Sequence, residues 1–245
     1  MKYSLNYFKQ NYPKTRPSLD PKIEKIYDAQ YIDNREGNSL MSNFAKILES
    51  WMHNQVSNTI KTNSKLLEIG AGTLNHVSYE KYFSSYDVIE PFQKLVDQSN
   101  QKHLIHRFYN DIDEANDKYD YIFSIATLEH LTNLPRVVAK AALQLNQNGH
   151  FLSAIPSEGG FLWGASWRMT TGIEFYLKHR LNYGNLMRHE HINNFSEIEC
   201  FLKIIFQKVH KKYLGISGNL SFYQFFECSD PKLEICNELL GLQSK

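Results

Sequence analysis

Leu66-Leu67-Glu68-Ile69 runs straight into Gly70-Ala71-Gly72-Thr73, and a second apolar run, Val88-Ile89, ends on Glu90 about 20 residues beyond the first glycine. An apolar run feeding a glycine turn is how a parallel sheet opens a nucleoside pocket. The glycines let the backbone approach the ligand, and an acid closing the neighbouring strand accepts from ribose hydroxyls. A dinucleotide fits poorly, because the third glycine of Gly-x-Gly-x-x-Gly falls at Asn75. A P-loop is excluded, because no Gly-Lys-Ser/Thr follows the turn.

The flanking pattern supplies the rest of the sheet. Lys65–Ile69, Tyr86–Glu90, His103–Phe108, Tyr119–Ile125 and His150–Ile155 read as successive strands. Helices alternate with them. One starts near Asn75, one carries Pro91 in its first turn, and one runs from a Thr132 or Asn133 cap through Leu145, with Gly149 ending that region. This alternation implies an α/β fold, a parallel sheet with helices on both faces.

Before the sheet, Leu40, Phe44, Ile47, Trp51 and Gln55 recur at helical spacing, with Leu48 and Met52 widening the apolar face. They predict a helix over 39–57, capped by Asn38 or Ser39 and packed beside the sheet or over the pocket. Pro13, Pro17 and Pro21 break any long earlier helix and leave a short one from Pro21 towards Tyr27.

After the fifth strand, residues 156–195 interrupt the rhythm with Trp163, Trp167, Phe175, Tyr176 and Tyr183 among Gly, Asn and Arg. We read this stretch as an insertion and candidate lid, with hinge freedom at Gly159, Gly160 and Gly164 and with Arg168, Arg180 and Arg188 available to grip a phosphate or carboxylate. Phe195-Ser196-Glu197-Ile198-Glu199 reads as a capping box opening a helix through about Phe206. Lys208–Leu214 and Leu220–Cys228, joined around Gly218-Asn219, form an antiparallel closing pair, and the tail after Pro231 forms a short helix. The chain thus divides into an N-terminal helical cap over 1–60, a main domain over 61–230 and a tail over 231–245.

Composition narrows the function classes. With 245 residues, 42% hydrophobic, 22% charged and a net charge of +1, the chain has no global field for capturing nucleic acid. Met1–Lys9 has no apolar signal core, and no apolar run approaches a bilayer span, so an integral membrane segment is not expected. Cys200, Cys228 and Cys236 make no close pair and leave an odd count, which points to a reduced, cytoplasmic setting.

Glu68-Ile69-Gly70-Ala71-Gly72-Thr73 resembles motif I of class I S-adenosylmethionine (SAM)-dependent methyltransferases. Val88-Ile89-Glu90-Pro91 is similar to their second-strand motif, and Asn110-Asp111-Ile112 to their adenine-contacting segment. Tyr119–Ser124 and Leu128-Glu129-His130-Leu131 resemble the fourth-strand region of the subgroup that modifies small molecules. The resemblance covers residues 60–228 and implies a Rossmann-like, doubly wound, seven-stranded sheet, mostly parallel with the last strand antiparallel. It also implies SAM as cofactor. Glu68 would accept near the methionine ammonium, and Gly70, Ala71 and Gly72 would pass beneath the ligand. Glu90 would accept both ribose hydroxyls, Pro91 or Phe92 would cover adenine, Asp111 and Ile112 would meet its edge, and Ser124 would complete the set. Many relatives carry glycine after Thr73. The Leu74 found here requires an ordinary backbone conformation and narrows the pocket entrance.

The acceptor is narrowed by what is missing. Ser124-Ile125-Ala126-Thr127 replaces the Asn/Asp-Pro-Pro-aromatic motif of base N-methyltransferases, no cysteine follows a proline as in cytosine-C5 enzymes, and the two-glutamate loop of arginine methyltransferases is not found. A small-molecule hydroxyl leads. His130, just past the fourth strand, is the first candidate base, and His191 within His189-Glu190-His191 is the second. Glu129-His130 also occurs in metal-assisted quinone-type O-methyltransferases, but their additional acidic ligand is not evident, so no metal is expected. Tyr31–Arg35 and Glu49–His53 are similar to segments of methyltransferases from surface-polysaccharide pathways, which favours a nucleotide- or lipid-linked sugar acceptor. The alternatives are a quinone-like or carboxylate metabolite as acceptor, or a catalytically inactive SAM-binding partner subunit. Oligomeric state is not legible.

Overall fold

A computed structural model describes residues 2–24, 26 and 40–242. Ahead of the sheet lie α1 (Leu5–Asn11) and α2 (Leu40–Ser57). The strands are β1 (Ser64–Ile69), β2 (Phe83–Ile89), β3 (Arg107–Tyr109), β4 (Tyr119–Ile125), β5 (Leu145–Pro156), β6 (Phe206–Gly215) and β7 (Ser221–Pro231). Between them lie α3 (Gln93–Asp97), α4 (Leu134–Leu143), α5 (Phe161–Trp167), α6 (Ile173–His179), α7 (Tyr183–Glu190) and α8 (Phe195–Ile205), and α9 (Leu233–Leu239) follows.

The strands form one seven-stranded sheet in the order β3-β2-β1-β4-β5-β7-β6. β1 pairs in parallel with β2 and β4, β2 with β3, and β4 with β5, whereas β7 runs antiparallel to both β5 and β6. This is the Rossmann-like, doubly wound arrangement expected from the sequence. The strand order reverses between β1 and β4, which places the glycine turn after β1 at the topological switch point where such sheets bind ligands.

Alternation along the strands builds a core on each face. Leu67, Ile69, Ile122 and Phe151 pack on one face against α4 and α8, together with Phe8 of α1. Leu66, Tyr86, Phe123 and Leu152 face the other way, against Met52 and Val56 of α2. The α1 helix docks through Phe8, 4.7 Å ring to ring from Phe201, and through the Tyr7 hydroxyl, which donates to Glu197 at 2.7 Å. Asn133 caps α4, accepting from the Arg136 amide at 3.4 Å. No helix among the described residues is long and apolar enough to cross a membrane, and all three cysteines are free.

Several boundaries differ from the sequence reading. The α1 helix was not anticipated, because the prolines that follow it drew the eye away from Leu5 and Phe8. Residues 21–24 are helical, but Tyr27 lies outside the described residues, as do Tyr31–Arg35, the Asn38 or Ser39 cap and the side chains of Leu40, Phe44 and Ile47. The helix expected from Asn75 is a single 3-10 segment, Asn75–Tyr79. Pro91 precedes α3 rather than starting it, and His103 lies in a 3-10 turn outside β3. The α4 helix stops at Leu143, and Gly149 lies inside β5, where the register with β4 is irregular. The box that opens α8 joins Asn194 with Glu197, ahead of the Phe195–Glu199 stretch, because asparagine is as good a cap as serine.

Candidate active site

The chain leaves β1 through Gly70 and Gly72, both with positive φ, at 76° and 53°. A side chain at Gly70 would meet Thr127, whose atoms lie 2.4 Å from an ideal Cβ position, so the β4 loop presses directly on the turn. Only glycine serves there. The Gly70 amide donates to the Ile89 carbonyl at 2.8 Å, tying the turn to the end of β2. The next residue is Glu90, only 5% exposed. Its carboxylate accepts from the Gly72 amide at 2.8 Å and the Phe92 amide at 3.0 Å. Two backbone donors hold this acid rigidly beside the glycine turn, and a carboxylate has lone pairs beyond those two.

Leu74 departs from expectation. It adopts the left-handed conformation, φ 63° and ψ 34°, and is fully buried among Met52, Val56 and Val77. The conformation costs roughly 1–2 kcal/mol in an L-residue, which burial of a leucine side chain, worth about 1.5–3 kcal/mol, offsets. The glycine of relatives suits this backbone. Leucine tolerates it by packing inward, and so it does not narrow the entrance.

The other donor-side residues divide. Glu68 is 3% exposed and accepts from the Tyr86 hydroxyl at 2.6 Å. Burial pushes its carboxyl up to about 7, against the lowering influence of His76 and the Tyr86 hydrogen bond. Ser124 is buried within β4 opposite Ile69, and its hydroxyl has no partner among the described residues. Pro91 and Phe92 are exposed at the edge. Asp111 is engaged by Arg136 at 3.1 Å, and the Ile112 side chain belongs to the core. Asp113 is taken up by Arg136 and Lys140. The turn, Glu90 and Thr127 are brought together, whereas the Asp111 carboxylate is turned to an ion pair.

Beyond Thr127, a 3-10 turn (Leu128–His130) carries Glu129 and His130 off the end of β4. His191, closing α7, meets them. The two imidazoles lie edge to face, 4.8 Å between centroids. His130 donates from Nδ1 to the Glu190 carbonyl at 2.9 Å, and its Nε2 lies 3.8 Å from Glu129 Oε1. His191 donates from Nδ1 to Glu158 Oε2 at 2.8 Å, and the Trp163 indole donates to the same oxygen at 2.7 Å. Burial opposes a charged His191, but the Glu158 hydrogen bond and the charges of Glu129, Glu158 and Glu190 outweigh it and raise its pKa. Glu158 is correspondingly lowered, the His191 bond overcoming its burial. Glu129 is raised by burial, and its Oε2 has no hydrogen-bond partner among the described residues. Arg16, from the N-terminal segment, donates to the His130 carbonyl at 3.0 Å and to Glu190 at 2.9 Å. The sequence singled out both histidines. It did not reveal Glu158, Glu190 or Arg16 as their supports.

An open cleft of about 590 Å³ leads away from His191 between α5, α6 and α7. Glu158, Trp167, Arg168, Tyr176, Tyr183 and Arg188 are among its lining. The Arg168 guanidinium lies 4.3 Å over the Trp167 ring. Arg180 stands apart, capping α6 in a left-handed conformation over Tyr176. Thr127, pressed on the glycine turn, leads directly into the turn that carries Glu129 and His130, and His191 of the same cluster lines the aromatic cleft.

The comparisons with known proteins agree with this layout. The family model described as a methyltransferase domain matches residues 43–199, and the chain belongs to that family. A malonyl-[acyl-carrier protein] O-methyltransferase of Anoxybacillus flavithermus is 28% identical over 142 residues, covering 53% of this chain, and the chain spans only 54% of that relative. Among solved structures, a SAM-dependent methyltransferase of Thermotoga maritima superposes with a TM-score of 0.53 at 12% identity, covering 78% of this chain and 95% of the other. The plantazolicin methyltransferase BamL, crystallised with SAH, gives 0.55 at 12% identity over 84% and 91%. These structural likenesses establish the fold, that of a class I methyltransferase.

Proposed function

We propose that the protein transfers a methyl group from SAM to a hydroxyl of a sugar or glycan precursor. The fit of the donor rests on Glu90, an acid clamped by two backbone amides beside the left-handed glycines, which leaves lone pairs for a ribose diol. When bound, SAM supplies an electrophilic methyl on a sulfonium, whose C–S bond breaks as the acceptor oxygen forms the new C–O bond. Gly70 to Gly72 would carry the ligand on their backbone, and Glu90 would hold the ribose.

The observation that carries the acceptor reading is the contact of His130 with His191, which itself lines the aromatic cleft. His191, oriented through Nδ1 by Glu158, is the base for the hydroxyl proton. Trp167, Tyr176 and Tyr183 supply faces for a sugar ring, and Arg168 and Arg188 supply donors for the phosphate of a nucleotide- or lipid-linked carrier. The lid helices would exclude water and align oxygen with methyl, which is most of what an in-line displacement needs.

A second reading takes a carboxylate acceptor. It is favoured by the same arginines and by a relative named as an O-methyltransferase of malonyl-[acyl-carrier protein]. A carboxylate is already deprotonated, so the His191–Glu158 pair would have nothing to do. The test is transfer of labelled methyl from SAM to a panel of nucleotide-linked sugars, lipid-linked sugars and carboxylic acids. Product found only with carboxylates, and at an undiminished rate in His191→Gln, would overturn the hydroxyl reading.

A further inference from the structure

Glu129, His130 and His191 do more than line the cleft. One ligand atom from each lies within 4.8 Å of the others, a grouping that could hold a metal ion. Each histidine spends its Nδ1 on a fixed oxygen, the Glu190 carbonyl for His130 and the Glu158 carboxylate for His191. That leaves Nε2 of each ring to ligate. An imidazole oriented by a carboxylate or carbonyl through its second nitrogen is the usual support of a metal-bound histidine. Glu129 is 1% exposed, and among the described residues its buried Oε2 has no hydrogen-bond partner. A buried carboxylate atom without a partner is costly, and a cation is a direct way to satisfy it. Charge agrees as well. Of the three carboxylates around the two rings, Glu190 is neutralised by Arg16, and Glu129 and Glu158 remain to balance a dication.

We propose that Glu129, His130 and His191 bind a divalent transition-metal ion at the acceptor end of the site. Two nitrogens and one oxygen form the three-ligand set of open catalytic sites, in which further coordination positions are left for substrate. The acceptor hydroxyl occupies one of them. Coordination lowers its pKa, its proton passes to solvent, and its oxygen lone pair then forms the C–O bond while the sulfonium takes the C–S pair and leaves. With an ion bound, His191 Nε2 is a ligand, and it is the proton acceptor only when the site holds no ion. The third group, His191, comes from the end of α7, 62 positions downstream of Glu129 by subtraction of the residue numbers. The inference rests on the reading of this cluster as the acceptor end.

The test is Co²⁺ titration of the full chain after metal removal, followed by visible absorption, with SAM affinity measured calorimetrically on the same sample. One Co²⁺ per chain is expected, displaced by Zn²⁺. Glu158→Gln, which leaves all three ligands in place, is expected to weaken binding by roughly 10–100-fold. Glu129→Gln is expected to weaken it at least as much, and His103→Gln, on an exposed turn, not at all. Folded protein that binds SAM but takes up no Co²⁺ overturns the metal and leaves His191 as base. Uptake unchanged in both Glu129→Gln and Glu158→Gln overturns the ligand set. Co²⁺ uptake by the wild-type chain without SAM binding supports the site while rejecting the donor assignment.

Discussion

The two ends of the site are held by different means. At the donor end, Glu90 is fixed by amides 18 and 2 residues away, all of it backbone local to the β1 and β2 termini. At the acceptor end, His191 is fixed by a carboxylate 33 residues away, His130 by a carbonyl 60 away, and Glu190 by an arginine 174 away. The first arrangement is rigid and follows from one turn. The second is assembled from four segments, any of which can change without disturbing the sheet. A donor pocket built this way can be shared across a family while the acceptor end diverges.

The sharpest way to break this comparison is at His191. His191→Gln keeps a hydrogen-bonding side chain opposite Glu158 and is expected to lower turnover by about 10²–10⁴-fold, with SAM affinity unchanged. A loss of SAM affinity there would show that the two ends are not independent. Glu90→Ala should do the reverse, weakening SAM binding by about 100-fold in calorimetry through loss of charge-assisted hydrogen bonds. Tight binding in that variant would remove Glu90 from the ribose role.

Glu68 probes the support of the donor end by pH. Its carboxyl is raised to about 7 from an unfolded value of 4.5, so the folded chain retains a proton that the unfolded chain releases. Its contribution is complete below the unfolded value and is lost as pH rises through about 7. Glu68→Gln, which can still accept from Tyr86, should flatten this dependence and gain on the order of 2 kcal/mol above neutrality in denaturant unfolding. Parallel pH profiles in the two proteins would show that Glu68 is not the group responsible. The smallest effect is expected at Arg168, which is exposed. Arg168→Ala should raise the KM for a phosphate-bearing acceptor about tenfold with little change in kcat.

The same contrast explains what could be read in the sequence. Tyr119–Ile125 was located to the residue, and the glycine turn with Glu90 was found, because strand alternation and a two-glycine bend are local patterns. His130 and His191 could be named as candidates by type, but their meeting could not, since it depends on how the insertion folds back over β4. Arg16 carried no signal at all among prolines and lysines. The cap of α8 was read within Phe195–Glu199 and not at Asn194, because serine and asparagine accept equally well from a helix amide. The conformation of Leu74 was hidden for a different reason. Its backbone is set by the turn and its side chain by the core, and neither is visible in a residue that is ordinarily right-handed.

Arg16 gives a segment ahead of the sheet authority over the proposed acceptor end, 114 positions further along the chain. Arg16→Ala would leave α1 docked through Phe8 and the sheet undisturbed, while removing the donors to the His130 carbonyl and to Glu190. Such a variant would still capture SAM but would present it to a slackened partner site, so its defect should be recognised by idle binding rather than by unfolding.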